Sequence, residues 1–152
     1  MYEEKIRDFA ERTRANLRAI EQRKAEGHEA YEVTQLVNSM LGLLVFPQQR
    51  YVDKIPHTSL EELEQQGWPI PSVREGFQQV ENLNQLVRHL RNAIAHFNVD
   101  FIGDGKNEVK FLHVWNTNPR GLRTWEAELS VSDLQGIAER FIELLLESPH
   151  IT

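Results

Sequence analysis

Cysteine is absent from this 152-residue chain. That excludes disulfides, thiolate nucleophiles and zinc–thiolate sites. It fits a reducing compartment, so a cytoplasmic location is expected. Long apolar runs are also missing. None approaches the ~20 residues needed to span a bilayer, and no membrane partner is expected. The opening Met1-Tyr2-Glu3-Glu4-Lys5 is polar and lacks the apolar core of a signal peptide. Basic surplus is lacking too. There are 17 Lys and Arg against 23 Asp and Glu, for a net charge of −6. Any nucleic acid must therefore be held by a local basic patch and not by a global field. No Ser-His-Asp order, nucleophile elbow or HExxH spacing occurs. Paired carboxylates appear only on solvated helix faces. Metal ligation is not expected, because His89 and His96 have no third ligand. No cofactor is expected.

What is present is ordinary globular composition, 40% apolar and 26% charged. The length suits one domain over residues 1–152. Residues 2–25 read as a long amphipathic helix, with Tyr2, Ile6, Phe9, Ala10, Thr13, Leu17 and Ile20 on one face and Gly27 as its stop. Its charged face carries as many acids as bases, which argues against an anionic membrane surface. Residues 29–46 read as a second helix ended by Pro47, apolar nearly all round in its C-terminal half. Asn38 on that helix reads as a satisfied core amide. Residues 47–72 form a proline-punctuated connection with a short capped turn at Ser59-Leu60-Glu61-Glu62-Leu63.

Residues 73–98 read as a third long helix, with Ser72 and Glu75 at capping-box spacing. A three-stranded antiparallel meander should follow over residues 99–130. Its strands are 99–102, 109–115 and 122–129, with turns around Asp104-Gly105 and Asn118-Pro119-Arg120-Gly121. Gly103-Asp104-Gly105-Lys106 lacks phosphate-loop spacing and reads as a hairpin turn. Trp115 and Trp125 lie on adjacent strands and are expected to pair or to cover the core. Arg120 and Arg123, near the second turn, are either solvated or extend a basic patch. The last helix is expected after Ser132, with Gln135 in capping-box position. It should bury Leu134, Ile137, Ala138, Phe141, Leu144 and Leu145. His28, His57, His113 and His150 show no partner pattern. The expected class is mainly α (α+β), an antiparallel helical bundle with a small sheet before its last helix.

The residues with chemical content lie in Arg91-Asn92-Ala93-Ile94-Ala95-His96. At ~100° per residue, Leu83, Leu86, Val87, Leu90, Ala93, Ile94 and Phe97 share the core face. Arg88, His89, Arg91, Asn92 and His96 fall on the opposite arc. Asn92 and His96 are one turn apart. Arg91 sits on the flank, roughly 140° from His96, so one helix does not bring the two together. Two helices across a twofold axis can. Arginine supplies a permanent cation, and histidine trades a proton near neutral pH. Set against this, polar residues on a helix exterior are usually just solvated.

This stretch, with Val87-Arg88-His89-Leu90 before it and Phe97-Asn98 after it, resembles the HEPN superfamily, whose members carry Arg-x4-6-His with a polar residue after the Arg. It is similar to a plasmid-encoded HEPN subfamily, as is Leu41-Gly42-Leu43-Leu44-Val45-Phe46-Pro47 upstream. The resemblance implies a helical, homodimeric domain. It also implies a metal-independent endoribonuclease of a toxin–antitoxin or other defence system, with RNA as substrate and an antitoxin protein as partner. Arg91, Asn92 and His96 are then the catalytic candidates, and Arg88 and His89 substrate-binding candidates. The rival reading is a catalytically silent HEPN module that binds a protein or a nucleotide through the same groove. A weaker third reading is a purely structural helical dimer.

Overall fold

The computed structural model describes residues 2–44, 53–103, 105 and 108–147. Helix α1 (Tyr2–Ala25) buries Ile6, Ala10, Thr13 and Leu17 along one stripe. The Thr13 hydroxyl donates to the Phe9 carbonyl at 2.8 Å, so its burial leaves no polar group unmatched. Phe9 was expected in this stripe but is exposed. It lies about 70° off the stripe's centre, where the neighbouring elements no longer cover it. The Tyr2 side chain lies outside the described residues. Gly27, at φ 84, ends the helix, and the His28 amide closes onto the Arg23 carbonyl at 3.0 Å.

Helix α2 (Glu32–Leu44) starts three residues later than the pattern suggests. It buries Leu36, Val37, Met40, Leu43 and Leu44 and packs against α1 and against the two later long helices. Asn38 is exposed, a correction to its reading as a core amide. The buried polar residue is its neighbour Ser39, whose hydroxyl donates to the Gln35 carbonyl. Val45, Phe46 and the Pro47 stop lie outside the described residues.

The connection holds α3 (Leu60–Gln65), capped by the Ser59 hydroxyl accepting from the Glu62 amide. It also holds strand β1 (Ser72–Val73), which pairs with a strand more than fifty positions later. Ser72 is therefore not a helix cap. Helix α4 spans Leu83–Ala95 and not 73–98. Its cap is Asn82, whose side chain accepts from the Gln85 amide at 2.9 Å. Gly76, at φ 92, sits where a helix interior would need a right-handed residue.

Strands β2 (Val99–Gly103), β3 (Val109–Thr117) and β4 (Arg123–Ser130) form the expected meander. The sheet nevertheless has four strands, in order β1-β4-β3-β2, all antiparallel. The turn after β3 is closed by the Asn118 amide donating to the Leu122 carbonyl, with Gly121 at φ 80. Register places Leu112, Val114, Trp125, Ala127 and Leu129 on the inner face, where all are buried. His113, Trp115 and Glu126 lie on the outer face. Trp115 faces Glu126 and Asn116 faces Trp125, so the two tryptophans sit on opposite faces and do not pair. Their spacing is even, but the two strands run antiparallel with a frame that puts one indole in and one out.

Helix α5 (Val131–Glu147) follows β4 without a linker. Its cap is Ser130, whose hydroxyl accepts from the Asp133 amide at 2.9 Å; Ser132 does not take that role. Gln135 instead reaches across to the carboxylates of Glu21 on α1 and Glu32 on α2. Burial, then the neighbouring Glu32 charge, push the Glu21 carboxyl above its ordinary value. Leu134, Ile137, Ala138, Phe141 and Leu145 are buried, and Leu144 is partly so. Gly136 admits Pro69 so closely that a Cβ would sit 2.7 Å from its Cγ. The connection is thereby seated on α5.

Helices α4 and α5 rest on the sheet, while α1 packs on α2 and α5, and α2 on α4 and α5. The molecule is a mixed α/β arrangement of five helices and one sheet among the described residues. It is not a plain helical bundle. No helix among the described residues is long and apolar enough to cross a membrane.

Candidate functional site at the end of helix α4

Helix α4 buries Leu83, Leu86, Val87, Leu90, Ala93 and Ile94 against α2 and β3. That fixes the direction of its polar arc. The first half of the arc is engaged by the chain's own groups. The Asn84 side-chain amide donates to the Ile55 carbonyl at 3.1 Å. Arg88 donates through Nε to the Asn84 Oδ1 at 2.6 Å and through Nη2 to Asp53. His89 lies 2.7 Å from the Gln85 carbonyl through Nδ1. A carbonyl only accepts, so the proton of that bond sits on Nδ1. The ring meets Trp125 edge-on, with centroids 4.9 Å apart. Arg88 and His89 are thus both half-buried and tied to the scaffold.

The last turn is different. Arg91 is half-buried on the flank, whereas Asn92 and His96 are exposed. Among the described residues, neither the Asn92 amide nor the His96 ring makes a side-chain hydrogen bond. The contact between the two is through the backbone, the His96 amide donating to the Asn92 carbonyl at 3.2 Å. The structure therefore brings Asn92 and His96 to one open surface and leaves Arg91 to one side.

His96 is the helix cap, one residue beyond α4. The chain turns there because Phe97 adopts φ 54, the left-handed region. The Phe97 amide bonds the Ile94 carbonyl at 3.0 Å, and the Asn98 amide bonds the Ala93 carbonyl at 2.8 Å. This is the two-bond Schellman closure, a place normally given to glycine. Phe97 is the one non-glycine residue with positive φ among the described residues. That conformation costs roughly 1–2 kcal/mol in an L-residue with a Cβ. Helical periodicity puts Phe97 on the core face. The left-handed turn ends that periodicity, and the residue is 68% exposed, its ring beside Phe101 at 6.4 Å between centroids.

A second grouping of cations occupies the outer face of the sheet. Glu126 is buried, and its carboxylate receives Arg74 at 3.0 Å, His113 at 3.0 Å and Arg123 at 3.2 Å. Arg123 also lies over the Trp115 ring, 4.3 Å from its centroid. Burial pushes the Glu126 carboxyl up, but the hydrogen bonds from Arg74, Arg123 and His113 outweigh it and hold the group below its ordinary value. A cavity of about 460 Å³ beside it is lined by Ser72, Arg74, His113, Ala127 and Glu128. His113, read as incidental, has a defined partner. The alternation of β3 and β4 carries a signal for this, since both residues sit at outward positions. Their register is the missing datum. Among the described residues, no group of three or more His, Asp or Glu could hold a metal ion.

No curated protein and no solved structure matches the chain. A family model described as HEPN pEK499 p136 matches residues 1–151. The chain belongs to that HEPN family.

Proposed function

We propose that the protein is a metal-independent endoribonuclease whose active centre is composed of two copies of the α4 terminus in a homodimer. One observation carries this reading. Within a HEPN-family chain, Asn92 and His96 stand open on the last turn while Arg91 is half-buried on the flank. A single chain offers a proton carrier without a converging cation. A twofold mate supplies a second Arg91 and a second His96 to the same surface.

The chemistry follows from those groups. The RNA 2′-oxygen attacks the adjacent phosphorus, and the P–O5′ bond breaks. A 2′,3′-cyclic phosphate and a free 5′-hydroxyl result. One His96 takes the 2′ proton, and the other gives a proton to the departing O5′. Arg91 holds the phosphate oxygens by paired hydrogen bonds as charge builds on them. Asn92 orients the phosphate. Arg88 and His89, held on the scaffold by the chain's own groups, are assigned to the contact with flanking RNA. A cellular RNA is the substrate, and a toxin or defence role with a cognate antitoxin is the setting that this chemistry suits.

The test is cleavage of mixed-sequence RNA by purified protein in excess EDTA, with sedimentation at the same concentration. Cleavage that survives EDTA, from a dimer, is the expected result. Activity lost in EDTA and restored by Mg²⁺ would overturn the mechanism. A monomer that cuts would overturn the composite centre. Clean protein that cuts no RNA would move the silent binding module to first place.

A further inference from the structure

Among the described residues, nothing in the packing accounts for the Phe97 ring. It is not core, being 68% exposed. It is not there for the turn, because glycine fits φ 54 without strain. The five other described residues with positive φ, Gly27, Gly67, Gly76, Gly105 and Gly121, are all glycine. Only at the end of α4 is a large aromatic placed in that conformation, and the residue before it is His96. The left-handed turn throws the Phe97 side chain outward instead of returning it to the core. Phe101, itself 42% exposed, stands beside it with the ring planes inclined at 53°. The two rings are tilted and not stacked on one another, so the exposed Phe97 surface is not taken up by its neighbour.

Resting on the ribonuclease reading above, we infer that Phe97, buttressed by Phe101, is a stacking platform for a base of single-stranded RNA next to the bond that His96 acts on. Every base presents a π-face, and an exposed aromatic ring takes it without regard to sequence. Adjacency to His96 is what favours a nucleobase over other apolar occupants: any phosphodiester at His96 carries its own bases within a residue's reach of Phe97. The platform selects unpaired RNA, since a base inside a duplex has both faces covered. Phe97 is in this sense a positioning residue. It fixes the strand, while proton transfer belongs to His96.

The test uses the full chain with His96→Ala, so that RNA is bound and not cut. The probe is a single-stranded RNA oligonucleotide carrying a fluorescent purine analogue whose emission falls on stacking. Phe97→Gly in that background should weaken RNA binding on the order of tenfold and abolish the quenching. It should keep or raise the melting temperature, because glycine relieves the strained turn. Phe97→Trp should retain binding and quenching. Sedimentation of Phe97→Gly should match that of its parent. If RNA binding and quenching survive Phe97→Gly, the stacking inference fails and the ribonuclease reading stands. If Phe97→Gly splits the assembly, the ring belongs to a contact with a second copy, and the inference is overturned. If the His96→Ala parent binds no RNA, both readings fall together.

Discussion

Two groupings in this molecule are built from the same residue types and arranged in opposite ways. On the outer face of the sheet, Arg74, Arg123 and His113 converge on one buried carboxylate, Glu126. At the end of α4, Asn92 and His96 stand exposed while Arg91 lies half-buried on the flank. The first is electrostatically complete: its anion is supplied, and its cations are oriented by that anion. The second holds a proton carrier toward solvent. The same residue types are thus bound into the fold where the register supplies their counter-ion, whereas the His96 ring is left open to solvent at the end of α4. The lesson is to ask of a histidine which partner its register already supplies.

The comparison breaks most sharply under substitution at the open site. His96→Ala should reduce RNA cleavage by about 10²–10⁴-fold, the usual effect of losing a positioned proton carrier. Arg91→Ala should act in the same direction. Arg91→Lys should restore little, because an ammonium cannot give the paired contact. Circular dichroism should show both proteins folded, since neither side chain lies on the buried stripe of α4. A folded His96→Ala protein that cuts as well as wild type would end the catalytic assignment.

The closed cluster should respond in stability and not in cleavage. Replacing Arg74 and Arg123 together by Met leaves Glu126 buried with only His113. The cost should be about 2–3 kcal/mol, below the figure for a fully buried pair because Arg74 is largely exposed and Arg123 partly so. Glu126→Gln should cost less, about 1 kcal/mol, since it frees two arginines that can turn to water. Urea unfolding of the three proteins reads this order directly. A reversed order would mean that the arginines, not the carboxylate, are the groups trapped by the fold.

A smaller effect sharpens the same contrast through pH. The folded Glu126 carboxyl lies below its unfolded value, so the unfolded chain binds more protons in the window between the two. Its contribution is complete above the ordinary carboxylate range. It is lost as pH falls through the depressed folded value. Melting temperature followed from neutral into acid should therefore fall less steeply for Glu126→Gln than for wild type. Parallel curves would remove the carboxylate from the account of acid stability.

How far was this legible beforehand? The motif and the buried stripe of α4 were, because helical periodicity needs only local spacing. The meander was, because Gly121 and the alternation around it mark the turn. The four-stranded sheet was not. Strand β1 is two residues long and exists only through pairing with β4, a contact distant in sequence and without periodicity. The start of α4 was misplaced for the same reason: Ser72 and Glu75 have helix-cap spacing, yet Ser72 is held as strand by Glu128 across the sheet. The end was misplaced because the turn at Phe97 uses a residue that no propensity rule selects for a left-handed conformation. Glu126 carries no signal of burial in the sequence, as one acid within the strand-forming stretch 122–129. It is paired by Arg74, the residue after that short strand, whose amide also bonds the Glu126 carbonyl directly across the sheet.

The packing of α5 has a consequence for the order of events during synthesis. It is the last described helix, yet it contacts α1, the first, and lies against β3 and β4. Gln135 bridges it to α1 and α2 at once. Contacts so distant in sequence form late, after loop closure. The nascent chain therefore exposes the motif of α4 well before the surfaces around α2 and the sheet are locked. On the composite-site proposal, a site that needs a locked scaffold and a second copy would stay silent on the ribosome, amid the cell's densest supply of RNA. On that proposal, activity would appear only once the released chain has closed on itself and met a second copy.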